Sequence, residues 1–142
     1  MKKENYIVDV NNHYIAWENN SKKEAVTEIF ILDLETGNKD SLTAPAGERI
    51  NLLGIIDNNI IYGYAKENAY ITTPDGTVEM LMYEVRISDK AKNVLEEYKK
   101  RGYYITGAMA DGNIITLKRK KKGEHGEYEK VSDDYILNRV TE

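Results

Sequence analysis

Trp17, Tyr62, Tyr64, Tyr103 and Tyr104 are the side chains of this sequence best suited to contact a ligand or partner. Aromatic rings exposed at one end of a sheet stack on sugar rings or peptides. The same rings also pack between sheets. Their alternation with Ile and Gly inside apolar runs favours that core role. The run Lys118-Arg119-Lys120-Lys121-Lys122 is the strongest charge feature. Such a run meets phosphate or an anionic surface. As a solvated hairpin end it also protects a sheet edge. Gly123-Glu124-His125-Gly126-Glu127 follows with opposite charge, which suits a hairpin tip.

Acid–base chemistry finds little support. Glycosidic cleavage needs two carboxylates ~5–10 Å apart across a cleft. The pairs Glu96-Glu97 and Asp133-Asp134 are adjacent in sequence, and neighbours on a strand point to opposite faces. Asp57, Asn58, Asn59, Asp111 and Asn113 lack the spacing of a calcium loop, and a role in turns accounts for them. The two histidines, His13 and His125, are far apart and sit in no motif. No Gly-x-Ser-x-Gly elbow, dinucleotide fingerprint or Walker loop occurs. With no cysteine there is no thiol nucleophile, disulfide framework or thiolate metal site. The expectation is a chain that is not an enzyme, with no catalytic residue, cofactor or metal.

The elements that must position these groups follow from composition and pattern. The 142 residues carry 20 Lys and Arg against 24 Asp and Glu, a net charge of −4. That is one domain, residues 1–142, whose mild acidity gives no reason to expect nucleic acid. Hydrophobic content of 41% argues against intrinsic disorder. No apolar run approaches the ~18 residues of a membrane span, so no membrane insertion is expected. No apolar stretch follows the basic start Met1-Lys2-Lys3-Glu4-Asn5, so no signal peptide is read there. The 11 tyrosines fit half-buried strands.

Three segments repeat one pattern: an apolar strand-like run, a tight Asn/Asp/Gly turn, and a second run. They are 6–17, 52–64 and 105–117, with turns at Asn11-Asn12, Asp57-Asn58-Asn59 and Asp111-Gly112. Asn, Asp and Gly tolerate the positive φ of two-residue hairpin turns. A third strand follows each hairpin, at 28–34, 80–87 and 134–140, and a fourth follows the first two, at 39–43 and 93–98. Asn11 to Asn58 is 47 positions and Asn59 to Asn113 is 54. Four-stranded propeller blades run about 40–50 residues. The units are approximately 4–46, 47–100 and 101–142, and the loop 66–78 with Pro74-Asp75-Gly76 explains the longer second one. Residues 89–100 also read as a helix, with Ala91, Val94, Leu95 and Tyr98 at helical spacing and Gly102 beyond. The repeat favours a strand there. Leu32, Leu34, Ile61 and Ile115 are expected in the core between sheets.

The stretch Phe30-Ile31-Leu32-Asp33-Leu34-Glu35-Thr36-Gly37, followed by Leu42-Thr43, resembles the third-to-fourth strand corner of TolB-like β-propellers. It is also similar to dipeptidyl-peptidase-type propeller blades. The match weakens at Arg86-Ile87-Ser88-Asp89 in the second unit and at Asn138-Arg139-Val140-Thr141 in the third. More loosely, the whole chain resembles part of the propeller of uncharacterised clostridial lipoproteins. The fold class expected is all-β: about three four-stranded antiparallel meanders of blade type, an excerpt of a larger propeller. Closed propellers have about four to eight blades. The resemblance implies a non-catalytic, extracytoplasmic binding or scaffold module at the cell surface, whose partner is a protein, peptide or glycan. Two alternatives stand beside it: the propeller part of a larger peptidase or hydrolase, and a small standalone α+β interaction protein. The bare strand edge near Tyr135–Val140 implies edge-to-edge self-association.

Overall fold

The computed structural model describes residues 13–138 together with the backbone of 6–8. The chain is all-β, with antiparallel pairing throughout. The first sheet runs in sequence order through β1 (Tyr6–Val8), β2 (Tyr14–Glu18), β3 (Glu28–Asp33) and β4 (Lys39–Thr43). The second contains β5 (Glu48–Ile56) and β6 (Asn59–Lys66). A separate small hairpin, β7 (Tyr70–Thr72) with β8 (Val78–Met80), is then inserted before β9 (Glu84–Ser88) and β10 (Val94–Tyr98) complete the sheet. The third is β11 (Tyr103–Asp111), β12 (Ile114–Lys122) and β13 (Tyr128–Leu137). Among the described residues the helical element is a short 3-10 turn, Lys23–Ala25.

Turn chemistry sets the register. Asp57 and Asn58 both have positive φ (49° and 68°), so β5 and β6 meet through a two-residue turn of the mirror-image type that strand twist favours. Gly112 (φ 62°) opens the two-residue turn between β11 and β12. The turn expected at Asn11-Asn12 lies outside the described residues. Between the third and fourth strands of the first two sheets, one device recurs. Asp33 Oδ1 accepts the N–H groups of Glu35 (2.9 Å) and Thr36 (3.3 Å), and Asp89 Oδ1 accepts those of Ala91 (3.0 Å) and Asn93 (2.9 Å). The sequence match looks weak at Asp89, but the carboxylate there does the same work.

The core follows from period-two alternation along β6, every residue of which is buried from Asn59 to Ala65. Ile60, Tyr62 and Tyr64 face the first sheet and pack with Tyr14, Ala16, Ile29, Ile31, Leu42, Ile50 and Leu52. Ile61 and Ala65 face the other way, onto Val85, Ile87, Ile105, Ile115, Leu117 and Ile136. The second sheet is therefore covered on both faces, and the three sheets stack in chain order.

Several expectations need correction. Leu34 is 44% exposed, because β3 ends at Asp33 and the chain turns away. Leu32 is only half-buried, since the inward residues of β3 are Ile29 and Ile31 and side chains alternate. The third strand of the second unit begins at Glu84 rather than Met80, because 81–83 form a connector held by a Met82–Ile105 bridge. In the third unit β13 starts at Tyr128 rather than Asp134; the basic run forms the last residues of β12 and leads into the hairpin tip at 123–127, as expected, although Arg119 within it is buried. Residues 94–98 are a strand, as the repeat favours over the helix.

The turn at Asp75 makes stability acid-sensitive. Its carboxylate accepts the Thr73 hydroxyl and the Thr77 N–H (3.0 Å), and these bonds hold its pKa down to about 2 from 3.8. A folded pKa below the unfolded one gives stability that is present above pH 3.8 and lost as pH falls through about 2. The advantage of the wild type over Asp75→Asn in thermal unfolding should therefore shrink across that window. An advantage that stays constant between pH 4 and pH 2 would contradict this assignment.

Candidate functional site

Tyr103 and Tyr104 open β11 directly after the turn 99–102, where Gly102 has φ +86° and Tyr103 N–H bonds Lys100 O (3.1 Å). Opposite them in register stand Lys121 and Lys120 of the basic run. A third ring joins them from the second sheet. The connector carrying Tyr83 is fixed by paired bonds, Met82 N–H to Ile105 O (2.9 Å) and Ile105 N–H to Met82 O (2.7 Å). A further bond runs from Tyr83 N–H to Tyr64 O (2.9 Å). Together these elements enclose an open pocket of about 460 Å³, lined by Lys66, Tyr83 and the segment 99–104. Its lining holds three tyrosines and four cations, Lys66, Lys99, Lys100 and Arg101, and no carboxylate.

The cations lie over the rings. Lys66 Nζ is 4.8 Å and Lys99 Nζ 5.4 Å from the Tyr83 centroid. The Arg119 guanidinium stacks on Tyr103 at 4.4 Å, with Lys100 at 5.4 Å and Lys121 at 5.6 Å. Tyr104 meets Tyr128 edge to face at 5.6 Å. Behind the pocket, Glu48 accepts the Tyr83 hydroxyl and Lys66 Nζ (2.9 Å). Burial alone would raise the Glu48 pKa, but these two bonds outweigh it and hold the carboxyl below its ordinary range. Burial and the Glu48 charge push the Tyr83 hydroxyl well above the usual range, so it stays protonated.

A second cleft, of about 430 Å³, opens where β2, β5, the β7–β8 hairpin and β11 converge. Glu18 Oε2 accepts Leu52 N–H (2.9 Å), and Asn51 Nδ2 donates to Lys23 O (3.0 Å). These bonds tie the first sheet to the second. Asn51 Oδ1 is sealed in without a hydrogen-bond partner, while Glu79 pairs with Lys120 at 2.6 Å. Burial raises the Glu18 pKa above 4.5 against the opposing hydrogen bonds. A raised folded pKa means that this group's stabilisation is complete below pH 4.5 and is lost as pH rises through the folded value. Glu18→Gln should therefore gain on the wild type between pH 4.5 and neutrality. Melting curves showing the gap unchanged or reversed would refute this.

The five aromatic candidates divide among three places. Tyr62 (2% exposed) and Tyr64 (8%) lie in the core edge to face at 5.7 Å, and the Tyr62 hydroxyl shares a 2.6 Å bond with Ser88 Oγ. They are closed to a ligand. Trp17 is half-buried on the outer face of the first sheet, 5.6 Å from Phe30. Tyr103 and Tyr104 share the pocket with Tyr83. Tyr83 was missed, because its place depends on a bridge between residues 82 and 105 that leaves no local mark. Asp133 bonds Lys118 (3.1 Å) and Asp134 accepts the Tyr98 hydroxyl (2.7 Å), so that acidic pair serves the packing of sheets. His13 lies beside Asn58 and Glu35, and His125 is in the exposed 123–127 tip. Among the described residues no group of three or more His, Asp or Glu is placed to hold a metal ion. Nor is any helix among them long and apolar enough to cross a membrane.

No protein-family model matches the chain, and no curated protein matches it. The crystal structure of an inferred conserved lipoprotein from Clostridium novyi NT, at 2.70 Å resolution, aligns with it at a TM-score of 0.67. The chain shares its fold with a clostridial lipoprotein. The alignment covers 98% of this chain and 91% of that one, at 13% sequence identity. At that identity the likeness speaks for the fold alone.

Proposed function

We propose that this chain is a non-catalytic binding module, built from TolB-like propeller blades and displayed outside the cytoplasm, that holds an acidic glycan at the Tyr83–Tyr103–Tyr104 pocket. Three successive meanders stacked in chain order support the blade reading. Likeness to a lipoprotein supports the location. The observation that carries the ligand is the pocket's lining of three tyrosines and four cations without a carboxylate. Lys99 and Lys100, which lie over rings on flexible stems, can swing to a carboxylate or phosphate beside Arg101 while Glu48 keeps Lys66, and aromatic surface packs against the apolar face of a sugar ring. The open shape suits a polymer passing across the surface.

Titration calorimetry with polygalacturonate, dextran and polyglutamate tests this. Polygalacturonate should bind, more weakly as salt rises. Dextran should not. The double charge reversal Lys99→Glu with Lys100→Glu should weaken binding by at least about tenfold. Equal binding of dextran, or indifference to the double reversal, would refute the proposal; preference for polyglutamate would make the ligand an acidic peptide instead.

A further inference from the structure

The cleft of about 430 Å³ between β2, β5, the β7–β8 hairpin and β11 is lined by a carboxylate that the fold leaves without a close counter-charge. Glu18 is 9% exposed. Both hydrogen bonds that it accepts fall on one oxygen, Oε2, from Leu52 N–H (2.9 Å) and Asn51 Nδ2 (3.5 Å). Among the described residues no cation stands within ion-pair distance of it, and Lys23, an exposed residue of the lining, acts on it from farther away. Beside Glu18 lies a second acceptor in want of a donor. Asn51 is 3% exposed, its Nδ2 is engaged by Lys23 O (3.0 Å) and Glu18, and its Oδ1 has no partner. Buried charges are as a rule paired, and buried carbonyl oxygens hydrogen-bonded. Two adjacent acceptors on one cleft wall break that rule together.

The rest of the lining defines what such a donor is attached to. Leu53, Val78, Met80 and Ala108 give the cleft apolar walls, and its volume suits a small molecule. The other carboxylate, Glu79, already has Lys120 at 2.6 Å. We infer that this cleft binds a primary amine on an apolar stem, with its ammonium against Glu18 and Asn51. An ammonium carries three N–H donors on one atom, so a single group serves both acceptors. Glu18 Oε1 takes the first bond. A small turn of the Asn51 amide about its broad terminal torsion brings Oδ1 to the second. Burial raises the Glu18 pKa, and a positive charge beside it lowers it again. A metal ion fits less well, because no group of three or more His, Asp or Glu among the described residues converges to hold one. The site is opposite in sign to the tyrosine pocket and shares no residue with it.

Chemical-shift titration of the isotope-labelled chain with n-pentylammonium chloride at neutral pH provides the test. Saturable shifts should concentrate at Glu18, Asn51, Leu53 and Thr106, which line this cleft. Pentanoate and potassium chloride should not reproduce them. The uncharged n-pentanol, of equal length, should bind at least about tenfold more weakly. Glu18→Gln keeps an acceptor for Leu52 N–H, so it should melt cooperatively while losing at least about tenfold in affinity for the amine. The comparison with n-pentanol needs only the wild type and decides the matter if that variant does not fold. No saturable shift, shifts centred elsewhere, the same shifts with potassium chloride, equal binding of n-pentanol, or full affinity in folded Glu18→Gln would overturn the inference.

Discussion

Ile61→Ala and Ile115→Ala are each expected to lower the free energy of unfolding by ~2–5 kcal/mol. Both side chains sit between the second and third sheets, 2% and 0% exposed. Truncation there removes contacts and leaves a cavity that two rigid sheets close only in part. Leu34→Ala should cost less than about 0.5 kcal/mol, since its side chain lies on the surface of a turn. Urea denaturation at unchanged m-value reads these differences directly. A loss at Leu34 equal to that at Ile115 would mean that the turn after Asp33 packs against the core rather than lying on the surface.

Gly63→Val should destabilise β6 by overpacking. A Cβ at Gly63 meets the Met82 thioether and lies 3.1 Å from Glu84 O. Met82 is 1% exposed and its backbone is bonded to Ile105, so it has no room to retreat. Overpacking of this kind costs ~1–3 kcal/mol or more. Because Met82 also fixes the connector that carries Tyr83, the tyrosine pocket should loosen together with the core. Gly54→Ala is the control: its Cβ meets only Ile61 Cδ1 at 3.9 Å, an ordinary contact. Thermal melts that rank the Gly54 variant below the Gly63 variant would contradict this packing.

Strand content was legible in the sequence wherever local rules govern it. Asp57-Asn58 and Gly112 specify their turns through positive φ, and the repeat places 94–98 in a strand although its spacing also fits a helix. What failed depended on long-range partners. Leu32 lies on the parity of β3 turned away from the core, which the sheet on the far side decides, while Leu34 falls in the turn after Asp33. The pocket was half visible. Tyr103 and Tyr104 stood out as adjacent aromatics, and the basic run opposite them stood out as charge. Nothing local joined the two, because the register of β11 on β12 pairs Tyr103 with Lys121. Tyr62 and Tyr64, spaced by Gly63, stood out as aromatics too. It is burial that closes Tyr62 and Tyr64 to a ligand, and it arises from the position of β6 between two sheets.

The central claim, an acidic glycan held at the basic tyrosine pocket, is tested most directly by chemical-shift mapping of the isotope-labelled chain titrated with short galacturonate oligomers. Saturable shifts should concentrate at Lys66, Tyr83 and the segment 99–104, with Glu18, Asn51 and Thr106 of the other cleft unmoved. Shifts centred on that other cleft, or none at all, would contradict the account.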